Sequence, residues 1–558
     1  MWYKGGVGNL ILFLLLFLSR LLFLSPLPIY FDSPEYIKLI ANPNLLHALT
    51  LGHEPIHPGF ILPAWLLYRA LPLNSLYSAE IISSLFSALS LFTFFKIAEI
   101  YFSKRIAVRA LIIASLVPSF YLAGVNALTD TTYIFFYLFS FYALSKSLQP
   151  GRKNIWNRWF WLGTFSLGYS IFTHTQVILW LPLFFTPLLF RVKFTKKVKD
   201  KALNQGSTLK LICLFIGSGI GMGIISLVFL MVATGNSVIS SLNLLFMHGG
   251  DFITSQNVFL AFLRALRNLA ITLLRNNSTI LVLYAIIGAV ILTSKNKKQV
   301  LFLLFWLFPV ILTSQYWHIG LFGRTSLLAS FPLSILAVQI KSKLLLSFLF
   351  IQLVIITIPL AFTNKNADVQ NKLVSMYEDM PKNALLISSN LIRPQVTFYG
   401  EKYFINEPGQ DIEFIELKIN SALLQKRPVY IDSQAVFNPY YSLDGNNLHI
   451  LSLGKRGDSK VSELFKQYRI QIVSVQDWAN RIYLYQINPY TKYDHNAVSG
   501  KASPGSEIFL YPIGLHERVH PLRIDYHDAG TWVWAILTKK KDPVLWTIAD
   551  KNGEYTLH

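Results

Sequence analysis

Phe60-Ile61-Leu62-Pro63-Ala64-Trp65-Leu66-Leu67-Tyr68-Arg69-Ala70-Leu71 is the stretch on which the fold turns. If it crosses a membrane, every later loop changes side. It is apolar, but it falls short of the ~20 residues needed to span a ~30 Å hydrocarbon core, and Pro63 and Arg69 interrupt it. That length suits a re-entrant or interfacial helix. Outward from it, apolar runs near 9–25, 78–100, 106–125, 131–148, 159–173, 176–191, 211–233, 279–293, 299–314, 321–340 and 344–362 read as spans. The run at 9–25 has no small-residue cleavage site before Ser25-Pro26, so it reads as an uncleaved first span.

Basic residues decide between the two readings. With the N-terminus inside and 60–71 not crossing, Lys104, Arg105, Arg109, Lys146, Arg152, Lys153 and Arg158 are cytoplasmic. So are Arg191, Lys193, Lys196, Lys197, Lys199, Lys201, Lys210, Lys295, Lys297, Lys298, Lys341 and Lys343. The opposite side holds Lys38, Arg69, Arg264, Arg267, Arg275 and Arg324. The bias is about threefold and keeps one sense at every turn, as the positive-inside rule demands. A crossing at 60–71 would put the basic loops outside.

The chain therefore reads as a mainly α-helical polytopic membrane protein of about 11 transmembrane helices, residues 1–363, with a first extracytoplasmic loop at 26–77. An extracytoplasmic α/β domain is expected over 364–487, from short β-rich runs at 384–388, 429–431 and 481–485 and a helical pattern from Lys460 to Tyr468. Residues 488–558, richer in Gly, Pro, His and Trp, read as a small β-rich appendage. Composition agrees: 53% hydrophobic, 15% aromatic and only 14% charged residues, with mean hydropathy +0.43, are membrane-protein values. The net charge of +21 resides largely in the cytoplasmic loops, with no basic stripe interleaved by aromatics, so nucleic acid is excluded as a partner. Cys213 is the sole cysteine, which rules out an intrachain disulfide and a Cys-based metal site.

Polar chemistry collects at the extracytoplasmic ends. Tyr30-Phe31-Asp32-Ser33-Pro34-Glu35-Tyr36 follows the first span, with Pro34 suited to the first turn of a helix. Asp32 then stands at that helix's N-terminus, as a cap, a base or both. Gly52-His53-Glu54-Pro55-Ile56-His57-Pro58-Gly59 makes a stiff polar corner, and His57 precedes the short helix, where an anion can meet a helix N-terminus. Its spacing matches no zinc-ligand pattern, and no metal or other cofactor is read from the sequence. Asn126-Ala127-Leu128-Thr129-Asp130 puts a carboxylate at the end of the third run, and Phe172-Thr173-His174-Thr175-Gln176 is a polar island between the fifth and sixth. Gln315-Tyr316-Trp317-His318 and Gly323-Arg324-Thr325 lie between the ninth and tenth. Each alone reads as a cap or an interfacial residue; together, Asp32, Glu35, Glu54, His57, Asp130, His174, His318 and Arg324 make one face polar.

In that order and sidedness the chain resembles the GT-C superfamily over about residues 1–340, in the branch of protein O-mannosyltransferases, lipid A aminoarabinose transferases and lipopolysaccharide-core transferases. The resemblance implies a GT-C-like fold and a membrane-embedded inverting glycosyltransferase. It would use a polyprenyl-phosphate sugar donor and an extracytoplasmic acceptor, which is a protein, a lipid or a glycan. It implies catalytic roles for Asp32 and Asp130 and donor-phosphate contacts from His57, His174 and Arg324. Glu35, Glu54, His53 and His318 would then bind the acceptor or substrate. Relatives often carry His-Pro-Pro where this chain has His57-Pro58-Gly59, and Thr-Lys where it has Thr173-His174. An O-antigen-type polymerase or ligase remains open through Met247-His248-Gly249-Gly250-Asp251 with Arg264 and Arg267. A lipid-linked glycan transporter would call for repeat symmetry, which the sequence lacks.

Overall fold

A computed structural model of the chain describes residues 6–28, 32–50, 56–149, 157–190, 205–245, 278–313 and 327–366, together with separate stretches between 377 and 557. Met1–Asn366 and the bulk of Ala367–His558 group into two compact units.

The first unit is helical. Helices α1 (Gly6–Leu21), α2 (Ser33–Ala41), α3 (Leu45–Thr50), α4 (Pro58–Ala70) and α5 (Ser75–Tyr101) come first. They are followed by α6 (Lys104–Ser115), α7 (Pro118–Ala123), α8 (Asp130–Ser147), α9 (Arg158–Thr173) and a 3-10 stretch over Thr175–Phe185. Beyond these lie α10 (Gln205–Val232), α11 (Val238–Leu245), α12 (Thr279–Lys295), α13 (Lys297–Thr313), α14 (Ser330–Ala337) and α15 (Lys343–Asn366). Every apolar run singled out in the sequence carries helical structure. Ser75–Tyr101, Thr208–Val232 and Lys343–Asn366 are long and apolar enough to cross a membrane, and shorter apolar helices lie at Gly8–Leu21, Thr175–Phe190, Thr279–Lys295 and Leu327–Ala337. The protein is thus a mainly helical, multi-pass membrane protein. Helix α4 has 13 residues and a length of about 20 Å, too short to cross. It is tied back onto α2, since Trp65 Nε1 and Arg69 Nη2 both donate to the Asn42 carbonyl at 2.8 and 3.0 Å.

The run at 106–125 reads as one span but is broken after Ser115. Pro118 has no N–H and its ring clashes with a continuing helix, so α7 restarts on it. The carbonyls released by the break need donors in an apolar setting. Arg20, buried in α1, supplies one, donating from Nη2 to Ser115 O at 3.0 Å while its guanidinium lies 4.8 Å from the Tyr121 ring centroid. Thr357 Oγ1 in α15 donates to Leu116 O at 2.7 Å.

Helices α5, α8 and α9 form the centre, with α9 and α10 in close contact. A Cβ on Gly223 would stand 2.8 Å from Gly168 O and 2.7 Å from Ile171 Cβ, so the pair relies on small residues one turn apart, Gly219 and Gly223.

In the second unit, a five-stranded sheet has the order β2-β1-β3-β7-β6. Its strands are β1 (Leu385–Ser389), β2 (Tyr403–Asn406), β3 (Val429–Asp432), β6 (Tyr468–Gln476) and β7 (Ile482–Pro489), while β4 (Tyr441–Asp444) and β5 (Asn447–Ile450) pair separately. β1 runs parallel to β2 and β3, whereas β7 runs antiparallel to β3 and β6. Helix α16 (Ile412–Leu424) joins β2 to β3 and places Ile419 and Ala422 in a core with Leu385, Ile387, Val429, Ile431 and Ile487. The strands expected at 384–388 and 429–431 are present to within a residue, and the one expected at 481–485 starts at Ile482 and runs on to Pro489. The helical pattern from Lys460 lies outside the described residues, except Tyr468, which opens β6. Past 490, β8 (Val498–Lys501) pairs with β11 (Glu554–Leu557), and β9 (Glu507–Leu510) with β10 (Leu545–Ile548).

Gly223→Leu forces α9 and α10 apart. Overpacking of this kind costs about 1–3 kcal/mol, and a lowered thermal midpoint of the detergent-purified protein is the expected reading.

Candidate active site

The first-loop motif folds as its residues dictate. Pro34 lies in the first turn of α2, where its missing N–H costs nothing, and Asp32 is the N-cap residue. The Asp32 side chain makes no capping hydrogen bond; its backbone carbonyl accepts from Glu35 N and Tyr36 N, both at 3.1 Å. Capping is therefore not what holds this buried carboxylate. Glu35 is half-buried in the first turn. Ser33 Oγ donates to Ala127 O at 2.9 Å, which binds the start of α2 to the turn that leads into α8.

That turn, residues 124–129, carries Asp130 into the first residue of α8. Ser83 and Ser84 of α5 donate to Leu128 O and Gly124 O at 2.9 and 2.7 Å. Asp130 Oδ1 accepts from Tyr133 Oη at 2.7 Å, with both side chains buried and Asp130 in the favourable field of a helix N-terminus. Tyr133 in turn has its ring 4.9 Å from that of His174 and 5.4 Å from that of Trp180.

His174 stacks on His57 with centroids 4.9 Å apart and planes at 29°. Hydrogen-bond partners set the two rings' protons. A carbonyl can only accept, so His57 Nδ1 carries hydrogen and donates to Thr173 O at 3.0 Å. At His174 the Gln176 N–H donates to Nδ1 at 3.2 Å, so the proton of that neutral ring is on Nε2. Protonating both nitrogens would preserve the Thr173 bond of His57 but break the Gln176 bond of His174. His57 is the ring of the pair suited to carrying positive charge.

Gly59 explains the close approach of α4 and α9. A Cβ there would run into Thr173 Oγ1 and stand 3.0 Å from Thr173 Cβ, while Tyr169 Oη donates to Gly59 O at 2.9 Å. The departure from His-Pro-Pro is thus a packing requirement. Tyr36 completes the wall, its ring edge-on to His57 at 5.8 Å and to Phe60 at 5.5 Å.

Of the sequence-derived candidates, His57, His174 and Asp130 form one contact series through Tyr133, and the residue after Asp32 is bonded into the same turn. His53, Glu54, His318 and Arg324 lie outside the described residues, as do Met247–Asp251, Arg264 and Arg267. Tyr133 and Glu80 escaped the sequence reading. Glu80 is buried in α5, one turn before Ser83 and Ser84; among the described residues no well-formed hydrogen bond reaches either carboxylate oxygen, and the Ser25 backbone interacts with it. A carboxylate inside an apolar run was the signal that could have found it. Among the described residues no group of three or more His, Cys, Asp or Glu side chains could hold a metal ion.

Tyr133→Phe removes the hydroxyl that donates to Asp130, and a buried hydrogen bond to a charged group is worth about 1.5–3 kcal/mol; chemical denaturation of the variant should show a loss in that range. Gly59→Pro should lower the thermal midpoint and separate the His57 and His174 rings, which a structure of the variant would reveal.

Residues 56–217 match the family model described as dolichyl-phosphate-mannose-protein mannosyltransferase. No curated protein matches the chain. Among solved structures, the apo oligosaccharyltransferase of Archaeoglobus fulgidus aligns over 78% of this chain and 70% of that one, at TM-score 0.46 and 11% identity. ArnT from Cupriavidus metallidurans bound to undecaprenyl phosphate aligns over 86% and 98%, at TM-score 0.36 and 10% identity. Over the matched stretch, which includes His57, Asp130, Tyr133 and His174, the chain is similar to the dolichyl-phosphate-mannose-protein mannosyltransferases, in accord with the GT-C superfamily resemblance of its sequence.

Proposed function

We propose that this chain is an inverting glycosyltransferase that moves a hexose or pentose from a polyprenyl-phosphate donor to an extracytoplasmic acceptor, working as a multi-pass protein of the plasma membrane with about eleven crossings. The observation that carries the reading is the contact series His57–His174–Tyr133–Asp130, seated beside the helix that Asp32 begins. It joins a phosphate-seeking pair of rings to the Asp130 carboxylate. The family match over 56–217 and the sided distribution of Lys and Arg support the same conclusion.

Each group has a defined task. Asp32 takes the proton of the acceptor hydroxyl as its oxygen bonds to the anomeric carbon. The bond from that carbon to the phosphate oxygen breaks, and its electron pair departs with the polyprenyl phosphate. A single displacement inverts the anomeric centre. Phosphate is already a good leaving group, so no strong acid is needed. His57, protonated on Nε2 and fixed through Nδ1 on Thr173, meets the phosphate charge together with the N-terminus of α4, while His174 donates from Nε2 as a neutral ring. Arg324 is assigned to the same phosphate. Asp130, oriented by Tyr133, stabilises positive charge at the anomeric carbon. Glu35, Glu54, His53 and His318 are assigned to the acceptor side, and the unit from Ala367 to acceptor guidance.

Purified protein incubated with a panel of polyprenyl-phosphate sugars should release polyprenyl phosphate in the presence of acceptor. Loss of the base should slow turnover about 10²–10⁴-fold in Asp32→Asn, with folding intact by thermal melt. Equal turnover in both proteins overturns the mechanism.

A further inference from the structure

The last turn of α15 grips two segments, the stretch that follows α1 and the turn that leads into Asp130. Asn364, fully buried, donates from Nδ2 to Phe23 O at 2.9 Å, and its Oδ1 accepts from Asn126 Nδ2 at 3.0 Å. Asn126 Nδ2 also donates to Leu122 O at 2.8 Å, so two acceptors fix the orientation of its amide. Phe23 lies on the chain leaving α1 towards Asp32; Asn126 lies in the turn leading into Asp130. One side chain thus bridges the approaches to both acids. Phe362 reinforces the grip, edge-on to Phe23 at 5.2 Å, and Lys365 lies 5.9 Å from the same ring. Below, Ile356, Leu360 and Ala361 pack on Tyr121, Leu122 and Val125.

We propose that Asn364 and Asn126 are positioning residues, a buried amide clasp that sets the spacing of Asp32 and Asp130 and makes turnover depend on the end of α15. The proposal rests on the glycosyl-transfer reading for its kinetic consequence. Neither amide touches the reacting atoms. A clasp of this kind acts on the orientation of the acids, and a displacement of about 1 Å at a reacting group is enough to cost about 10²-fold in rate. Asn364 stands three residues before Ala367, where the second compact unit begins.

The test uses full-length protein carrying Asn126→Ala, Asn364→Ala, both together, or Leu344→Ala as a control on the exposed face of α15. In the polyprenyl-phosphate sugar assay, each single clasp variant should lose about 10- to 100-fold in kcat with donor KM within about twofold of wild type. The double variant should be no slower than the slower single, because the two act as a unit. Asn364→Asp keeps the acceptor for Asn126 but loses the donor to Phe23, and should recover part of the rate. Hydrogen exchange without substrate should quicken over 124–131 in Asn364→Ala and be unchanged over α10 and in Leu344→Ala. Wild-type kcat in Asn364→Ala, losses that multiply in the double variant, or quickened exchange across the whole first unit each overturn the clasp. If wild-type protein turns over none of the sugars, the function proposed above fails, and exchange decides alone: acceleration confined to the turn sustains the clasp and unchanged exchange removes it.

Discussion

Irregular backbone is costly inside an apolar bundle, and the turn at 124–129 is the place where this protein accepts that cost. A peptide carbonyl cut off from water and from any donor loses on the order of 1–3 kcal/mol. Here serines of two other helices and an amide of the turn itself anchor the segment: Ser84 to Gly124 O, Ser83 to Leu128 O, Ser33 to Ala127 O and Asn126 to Asn364. Each bond that satisfies the turn also fixes a helix to it. The start of α2, the second and third turns of α5 and the end of α15 therefore share one reference point, and Asp130 follows directly from it.

The same logic recurs lower in the bundle, where Pro118 opens a break and Arg20 and Thr357 close it. A buried arginine in a first apolar run is expensive in isolation. Against released carbonyls and the face of Tyr121 it is in an environment that suits its donors. Both irregularities are built from polar side chains that look out of place when each run is read by itself.

That accounts for what the sequence made legible. Apolar length located the helical runs, and the prolines at 34 and 58 marked helix starts, because these signals depend on solvent and on local sterics alone. Asp130, His57 and His174 were also legible, as polar residues at the ends of apolar runs. Tyr133, Asn364, Ser83 and Ser84 were not. Their roles come from partners 3 to 341 positions away along the chain, and a tyrosine or serine in an apolar run carries no mark of what it will meet. The break at Pro118 leaves no trace in hydropathy, which is continuous over 106–125, whereas the missing N–H acts on the backbone. Glu80 lies inside an apolar run, away from the ends where polar residues stand out.

The contact between Gly59 and Thr173 also constrains descent. A glycine that lets two helices touch beside the paired imidazoles makes positions 59 and 173 a single unit of inheritance. A lineage acquiring proline at 59 would first have to shrink the threonine or swing α4 outward, and the second course would unstack the rings. Descendants of this sequence should therefore exchange those two residues jointly, or leave both untouched.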